Sequence, residues 1–86
     1  MPIVSVLLPF HDAFSTLEAA VASIRKQTFQ DWELVLIDDG STDGGRELAQ
    51  DLSAKDSRIR LLELPHGGIV QALNTGLDAA TGDFVA

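Results

Sequence analysis

At 86 residues, 45% of them hydrophobic, the chain has material for one small globular domain at most and is neither disordered nor fibrous in composition. Thirteen acids against six Lys and Arg leave a formal charge of −7, which argues against nucleic acid or an anionic membrane as the main partner. The lack of cysteine removes disulfides and thiolate metal sites, and no run approaches the ~20 apolar residues of a membrane helix.

Ile3–Leu8 is β-branched at its start and almost continuously apolar, which predicts a central parallel strand closed by Pro9. After a loop from Phe10 to Ala13, Ser15 and Glu18 have the spacing of a capping box. Leu17, Ala20, Val21, Ile24 and Thr28 then recur at helical intervals, so a first helix is expected over Ser15–Gln27, with Arg25 and Lys26 where the dipole favours cations. Trp32–Asp38 reads as a second strand, and its run from Leu34 to Ile37 as buried on both faces. Asp38, Asp39, Gly40, Ser41, Thr42 and Asp43 follow at once, at the carboxyl edge of the sheet where open α/β folds bind ligands. The two acids and the turn are therefore expected to wall a crevice.

A second helix is expected to start near Thr42 or Asp43, with Leu48, Ala49 and Leu52 inward, followed by a polar loop over Ser53–Ser57. Arg58–Leu64 alternates in part, as a strand at a sheet edge does. Pro65-His66-Gly67-Gly68 breaks the chain, with His66 reading as a surface residue. The third helix is expected over Ile69–Ala80, with Ile69, Val70, Leu73, Leu77 and Ala80 inward and Gly76 permitting close contact with the sheet. Asp83–Ala86 begins a fourth strand. The order β-α-β-α-β-α-β calls for a parallel sheet with alternating helices, apparently truncated after the fourth strand, whose open edge is expected to favour self-association.

Several residues keep two readings. Asp38-Asp39 read as nucleotide contacts ahead of a helix-capping and turn-forming pair, Ser41 as a turn former ahead of a ligand contact, Gly67-Gly68 as a plain helix start or as an approach for a diphosphate, and Asn74 as an exposed polar residue or a ligand contact. A dinucleotide-binding fold would need Gly-x-Gly-x-x-Gly after the first strand, where Pro9-Phe10-His11-Asp12-Ala13-Phe14 stands instead. A phosphoacceptor fold would carry its acid pair after that same strand.

Val4 through Asp12, Gln27-Thr28-Phe29, Trp32 through Asp43, and Gly68 through Asn74 to Gly76 together resemble the family 2 glycosyltransferases, over nearly the whole chain and in order. The resemblance implies a Rossmann-like GT-A nucleotide-diphospho-sugar transferase fold, with residues 1–86 as its N-terminal nucleotide-sugar-binding portion. It implies transfer of a sugar from a nucleoside-diphosphate donor, a UDP-sugar, to a hydroxyl of a glycan, lipid or polysaccharide acceptor, in the cytoplasm or at its membrane face. It also implies Mg²⁺ or Mn²⁺ in the full-length enzyme, with ligands mostly beyond Ala86, and a catalytic base further along. No catalytic or metal residue is thus assigned within the chain, and this piece alone is expected to be inactive.

Carried over residue by residue, Pro9 and His11 would line the base pocket, and Asp39 would accept from the base's ring N–H, since an ionised carboxylate only accepts. Ser41, Gly68 and Asn74 would flank the nucleotide. Phe10, Asp38 and Gly40 would play secondary parts, Asp38 by orienting the turn through backbone N–H groups. The chain departs from the family in having His11 where Tyr is frequent, Asp12 where Asn is frequent, and Ala72-Leu73 where a cation often precedes the helix Asn. A non-catalytic nucleotide-binding or scaffolding module is the alternative.

Overall fold

A computed structural model describes residues 4–26, 31–82 and 84–85, the last pair by backbone alone; the expected roles of Ile3, Gln27, Thr28, Phe29, Asp83 and Ala86 lie outside the described residues. Seven elements alternate: β1 (Val4–Phe10), α1 (Phe14–Arg25), β2 (Trp32–Asp39), α2 (Gly45–Lys55), β3 (Ile59–Leu64), α3 (Ile69–Ala79) and β4 (Phe84–Val85). The strands form one parallel sheet in the order β3-β2-β1-β4. β1 is central and β3 lies at an edge, as the hydrophobic pattern requires. β4 pairs with Val4 and Ser5, at the end of β1 remote from Pro9.

All eight residues of β2 are buried, so its two-residue period sorts the whole core. Leu34 and Leu36 pack with Leu17 and Val21 of α1 and with Ala49 and Leu52 of α2. Val35 and Ile37 face the other way, onto Ala72 of α3. Even positions of β2 thus look toward α1 and α2, and odd positions toward α3.

Boundaries move where long-range partners outbid local ones. β1 continues through Pro9 to Phe10, since at that level it has a strand neighbour on the β2 side alone among the described residues. The capping box does not form. α1 begins one residue before Ser15, with Ala13 at its cap, and the Phe14 amide donates instead to Asp43 Oδ2 at 3.0 Å. Asp43 Oδ1 also accepts from the Gly45 amide at 2.9 Å, which delays α2 to Gly45, and the helix then runs to Lys55, taking in Ser53–Lys55 of the expected loop.

α3 presents a face other than the one its bulky residues suggest. Ala72 and Gly76 are the buried residues, while Ile69, Val70 and Leu77 are exposed. A Cβ built on Gly76 would lie 2.6 Å from Ile37 Cδ1, so the missing side chain is what lets the helix approach the sheet. Small residues face the close contact, and the larger ones are turned outward.

At the amino-terminal end of the odd-numbered face, Glu33 is buried among donors. Its carboxylate accepts from Ser5 Oγ at 2.6 Å, from the Thr81 amide at 2.6 Å and hydroxyl at 3.0 Å, and from Arg60 Nη1 at 3.2 Å. The Gly82 amide donates to Ser5 Oγ at 2.8 Å, and Arg60 Nη1 reaches Ala79 O at 2.6 Å. One acid therefore joins β1, β2, β3 and the segment leading to β4. Burial opposes its ionisation, yet hydrogen bonds from Ser5, Thr81 and Arg60 prevail and hold its pKa at about 2, below the ordinary 4.5.

At the other end, Gly40 has φ +74° and lies under the chain segment that crosses it, where a Cβ would come within 2.7 Å of the His66 amide nitrogen.

Two outcomes follow. Because Glu33 titrates lower in the folded chain than in the unfolded one, its contribution is complete above its ordinary pKa of 4.5 and disappears as pH falls toward about 2. Urea denaturation across that range should show Glu33→Gln costing roughly 2–3 kcal/mol at neutral pH, a deficit that closes in acid. Gly40→Ala, which meets both the left-handed backbone and the His66 amide, should lower stability by about 1–3 kcal/mol in the same assay at neutral pH.

Candidate functional site

The parallel register sets Pro9 beside Ile37 and Phe10 beside Asp38, which brings His11 to the level of Asp39. A hollow of about 100 Å³ opens there, lined by Pro9, Phe10, His11, Asp39, Ile69 and Ala72. Ligand pockets usually run to roughly 300–1,000 Å³, so this one accommodates a part of a ligand, such as a single ring.

Asp39 is 6% exposed, and its carboxylate bridges β2 to the start of α3. Oδ1 accepts from the Gly67 amide at 2.8 Å and Oδ2 from the Gly68 amide at 3.1 Å. The Gly67 hydrogen bond, joined by that of Gly68 and opposed by burial, holds the carboxyl below the usual carboxylate range. Asp39 is thus an ionised acceptor at neutral pH. Its backbone carbonyl takes two further contacts, His11 Nδ1 at 2.7 Å and His66 Nδ1 at 3.2 Å. The two imidazole rings lie 4.4 Å apart between centroids, tilted by 32°.

Asp38 is completely buried on the opposite face. It is paired with Arg46 Nε through Oδ2, and its Oδ1 accepts from the Ser41 amide at 2.9 Å. Burial would raise its pKa, but the Arg46 and Ser41 hydrogen bonds outweigh that and lower it. Arg46 also donates to Leu64 O at 3.2 Å, tying α2 to the end of β3. The expected turn-orienting role of Asp38 is what the geometry supplies. Since adjacent strand residues point to opposite faces, Asp38 and Asp39 do not converge on one ion. The hollow offers nitrogen donors beside a single acid, and these residues do not fit hard Mg²⁺ or Mn²⁺, which prefer oxygen ligands.

The remaining expected residues divide. Pro9, Phe10, His11 and Asp39 meet at the hollow. Ser41 forms the turn: its Oγ accepts from the Asp12 amide at 3.0 Å. Gly68 caps α3, and the amides of Gly67 and Gly68 are committed to Asp39 rather than left for a diphosphate. Gly40 acts through its close approach to His66. Asn74 is exposed on α3 and is not among the residues lining the hollow.

Four residues acquire roles that sequence reasoning did not assign. Asp12, at φ 52°, accepts from the Thr42 amide at 2.8 Å, and together with Asp43 it locks the β1 loop to the β2 loop. A short acid just before a helix is the local signal for both. Ala72 lines the hollow because the helix turns its small face inward. His66, though exposed, lies against His11 and Asp39, and nothing local in Pro-His-Gly-Gly announces that.

The chain is similar to known proteins over nearly its whole length. Residues 5–86 match the family model described as glycosyl transferase family 2. The uncharacterized glycosyltransferase EpsJ of Bacillus subtilis is 35% identical over 85 residues, 99% of this chain and 25% of its own length. Escherichia coli WfgD, named as a UDP-Glc:alpha-D-GlcNAc-diphosphoundecaprenol beta-1,3-glucosyltransferase, is 40% identical over 98% of this chain and 33% of its own. Among solved structures, residues 1–349 of Staphylococcus aureus TarS in complex with UDP-GlcNAc align with a TM-score of 0.86 at 28% identity, covering 96% of this chain and 25% of that TarS piece. The mannosyltransferase PcManGT of Pyrobaculum calidifontis, in complex with GDP-Man and Mn²⁺, gives 0.82 at 28% identity, over 98% of this chain and 26% of its own. The chain spans a quarter to a third of the length of these relatives. Its alternating parallel α/β architecture is that of the GT-A glycosyltransferases, and the chain belongs to glycosyl transferase family 2.

Proposed function

We propose that these residues seat the nucleotide of a nucleoside-diphosphate sugar, with a UDP-sugar as donor, in a glycosyltransferase that passes the sugar to an acceptor hydroxyl. The observation that carries the reading is the ionised, nearly buried Asp39 in the wall of a hollow sized for one ring. Uracil presents a ring N–H between two carbonyls, and an acceptor-only carboxylate complements that N–H. After receiving the Gly67 amide, Asp39 Oδ1 keeps a second lone pair for a ligand, whereas Oδ2 takes the Gly68 amide and lies 3.2 Å from His66 Nδ1. Pro9, Phe10, Ile69 and Ala72 supply apolar wall, and the exposed His11 ring offers a face for stacking.

The UDP-GlcNAc complex of TarS supports the donor class, and the name of WfgD supports a lipid-linked acceptor among the glycans, lipids and polysaccharides open to such enzymes. A cytoplasmic setting, at the membrane face where the acceptor is lipid-linked, goes with that reading; no described helix is long and apolar enough to cross a membrane. The Mn²⁺ of the PcManGT complex supports a divalent ion for the longer protein, and no residue of this hollow is assigned to it. The chain's own residues bind and orient the base and shield it from water. Self-association through β4 is part of the same proposal, supported by its pairing with β1 alone among the described strands.

Calorimetric titration of the full-length protein with UDP, GDP and TDP tests the assignment. UDP should bind in preference to GDP, and Asp39→Asn should weaken UDP by roughly 10- to 100-fold while erasing the preference, as loss of a hydrogen bond to a charged group does. Equal binding of UDP and GDP by the unaltered protein, or an Asp39→Asn variant that still prefers UDP to GDP, would refute the reading.

A further inference from the structure

We infer that His11, His66 and Asp39 form a binding site for a borderline divalent transition ion, with Zn²⁺ as the reference, in the mouth of the hollow. One ligand atom from each of the three residues lies within 4.8 Å of the others. Tetrahedral Zn²⁺ holds nitrogen and oxygen ligands at about 2.0–2.2 Å, which puts the ligands roughly 3.4 Å apart, so the widest separation must close by up to about 1.4 Å. Its parts allow that. The side chains of His11 and His66 are 43% and 63% exposed, which leaves room for each ring to shift, while Asp39 is held in place by two backbone amides.

The surroundings are those of ligating histidines. Both Nδ1 atoms contact the Asp39 carbonyl oxygen, at 2.7 and 3.2 Å, and His66 Nδ1 also lies 3.2 Å from Asp39 Oδ2; in the tautomer that carries its proton on Nδ1, each ring keeps an Nε2 lone pair. In that tautomer His11 Nε2 faces Asp12 Oδ2 at 3.3 Å as a second acceptor, and a cation beside them would reconcile the two. Two imidazoles with one carboxylate suit Zn²⁺, Ni²⁺, Co²⁺ or Cu²⁺ and discriminate against Mg²⁺. The site is therefore different in chemistry from the hard-ion site expected in the longer protein. Because His11 and Asp39 also line the hollow, an ion held there blocks entry of a base; this last consequence alone rests on the proposed function.

The test is a Zn²⁺ titration of the full-length protein against a chromophoric chelator in excess Mg²⁺, so that oxygen-rich sites are filled, with Co²⁺ absorption as a check on coordination. The unaltered protein should take up one Zn²⁺ that His66→Ala and His11→Ala each weaken by roughly tenfold or more, since even outer partners of a metal cost that much. Should either variant prove poorly folded, His66→Gln and His11→Gln, which remove the imidazole but keep a polar chain, give the same readout. Zn²⁺ affinity unchanged by both histidine substitutions, or no uptake beyond that of Mg²⁺-occupied sites, would overturn the inference. UDP binding measured without Zn²⁺ judges the nucleotide reading separately, and UDP affinity unaffected by bound Zn²⁺ would remove only the blocking consequence.

Discussion

The alternation of side chains along β2 is the constraint on which the functional end of the molecule depends. Two adjacent carboxylates at the end of a fully buried strand must be sent to opposite faces, and each needs donors to survive there. Asp38 finds Arg46 and the Ser41 amide on the α2 side. Asp39 finds the Gly67 and Gly68 amides on the α3 side. A slip of one residue in strand register would exchange the two and leave each acid facing a partner set built for the other.

The same odd-numbered row carries Glu33 at its opposite end, so α3 is secured beyond both of its termini by acids of β2. Asp39 receives the amides at its amino-terminal end, where the helix dipole also favours a negative charge. Glu33 receives Thr81 just past its carboxyl-terminal end, and Arg60 spans from Glu33 to Ala79. Between these anchors Ala72 and Gly76 set the helix down on Val35 and Ile37. Directional hydrogen bonds fix the position of α3, and this explains how Ile69, Val70 and Leu77 remain on its outer side.

The site that results is a rigid acid surrounded by adjustable rings. Asp39 is oriented by backbone, and the loops beside it are tied by Asp12 and Asp43. His11 and His66 are exposed and owe their positions to a shared carbonyl. Such an arrangement discriminates by the charge and shape of the acid while tolerating ring movement. In the proposed function the acid meets a flat heterocycle, and the two imidazoles are those of the inferred Zn²⁺ site.

The order of elements, the parallel sheet, the central place of β1 and the edge place of β3 were legible in the chain itself, because apolar period and breaker residues act within one strand or one helical turn. So were the acid pair at the end of β2 and the family to which the chain belongs. The close approach of α3 at Gly76 was legible too, but the start of α1, the outward placing of Ile69, Val70 and Leu77, and the donors that occupy Asp39 were not, since each depends on residues distant in sequence: Asp43 for Phe14, the sheet beneath Ala72 for α3, and Gly67, 28 residues on, for Asp39. Local pattern states what a segment tends to be, whereas the partner that satisfies a buried polar group or fits a close helix contact exists only once the segments have packed.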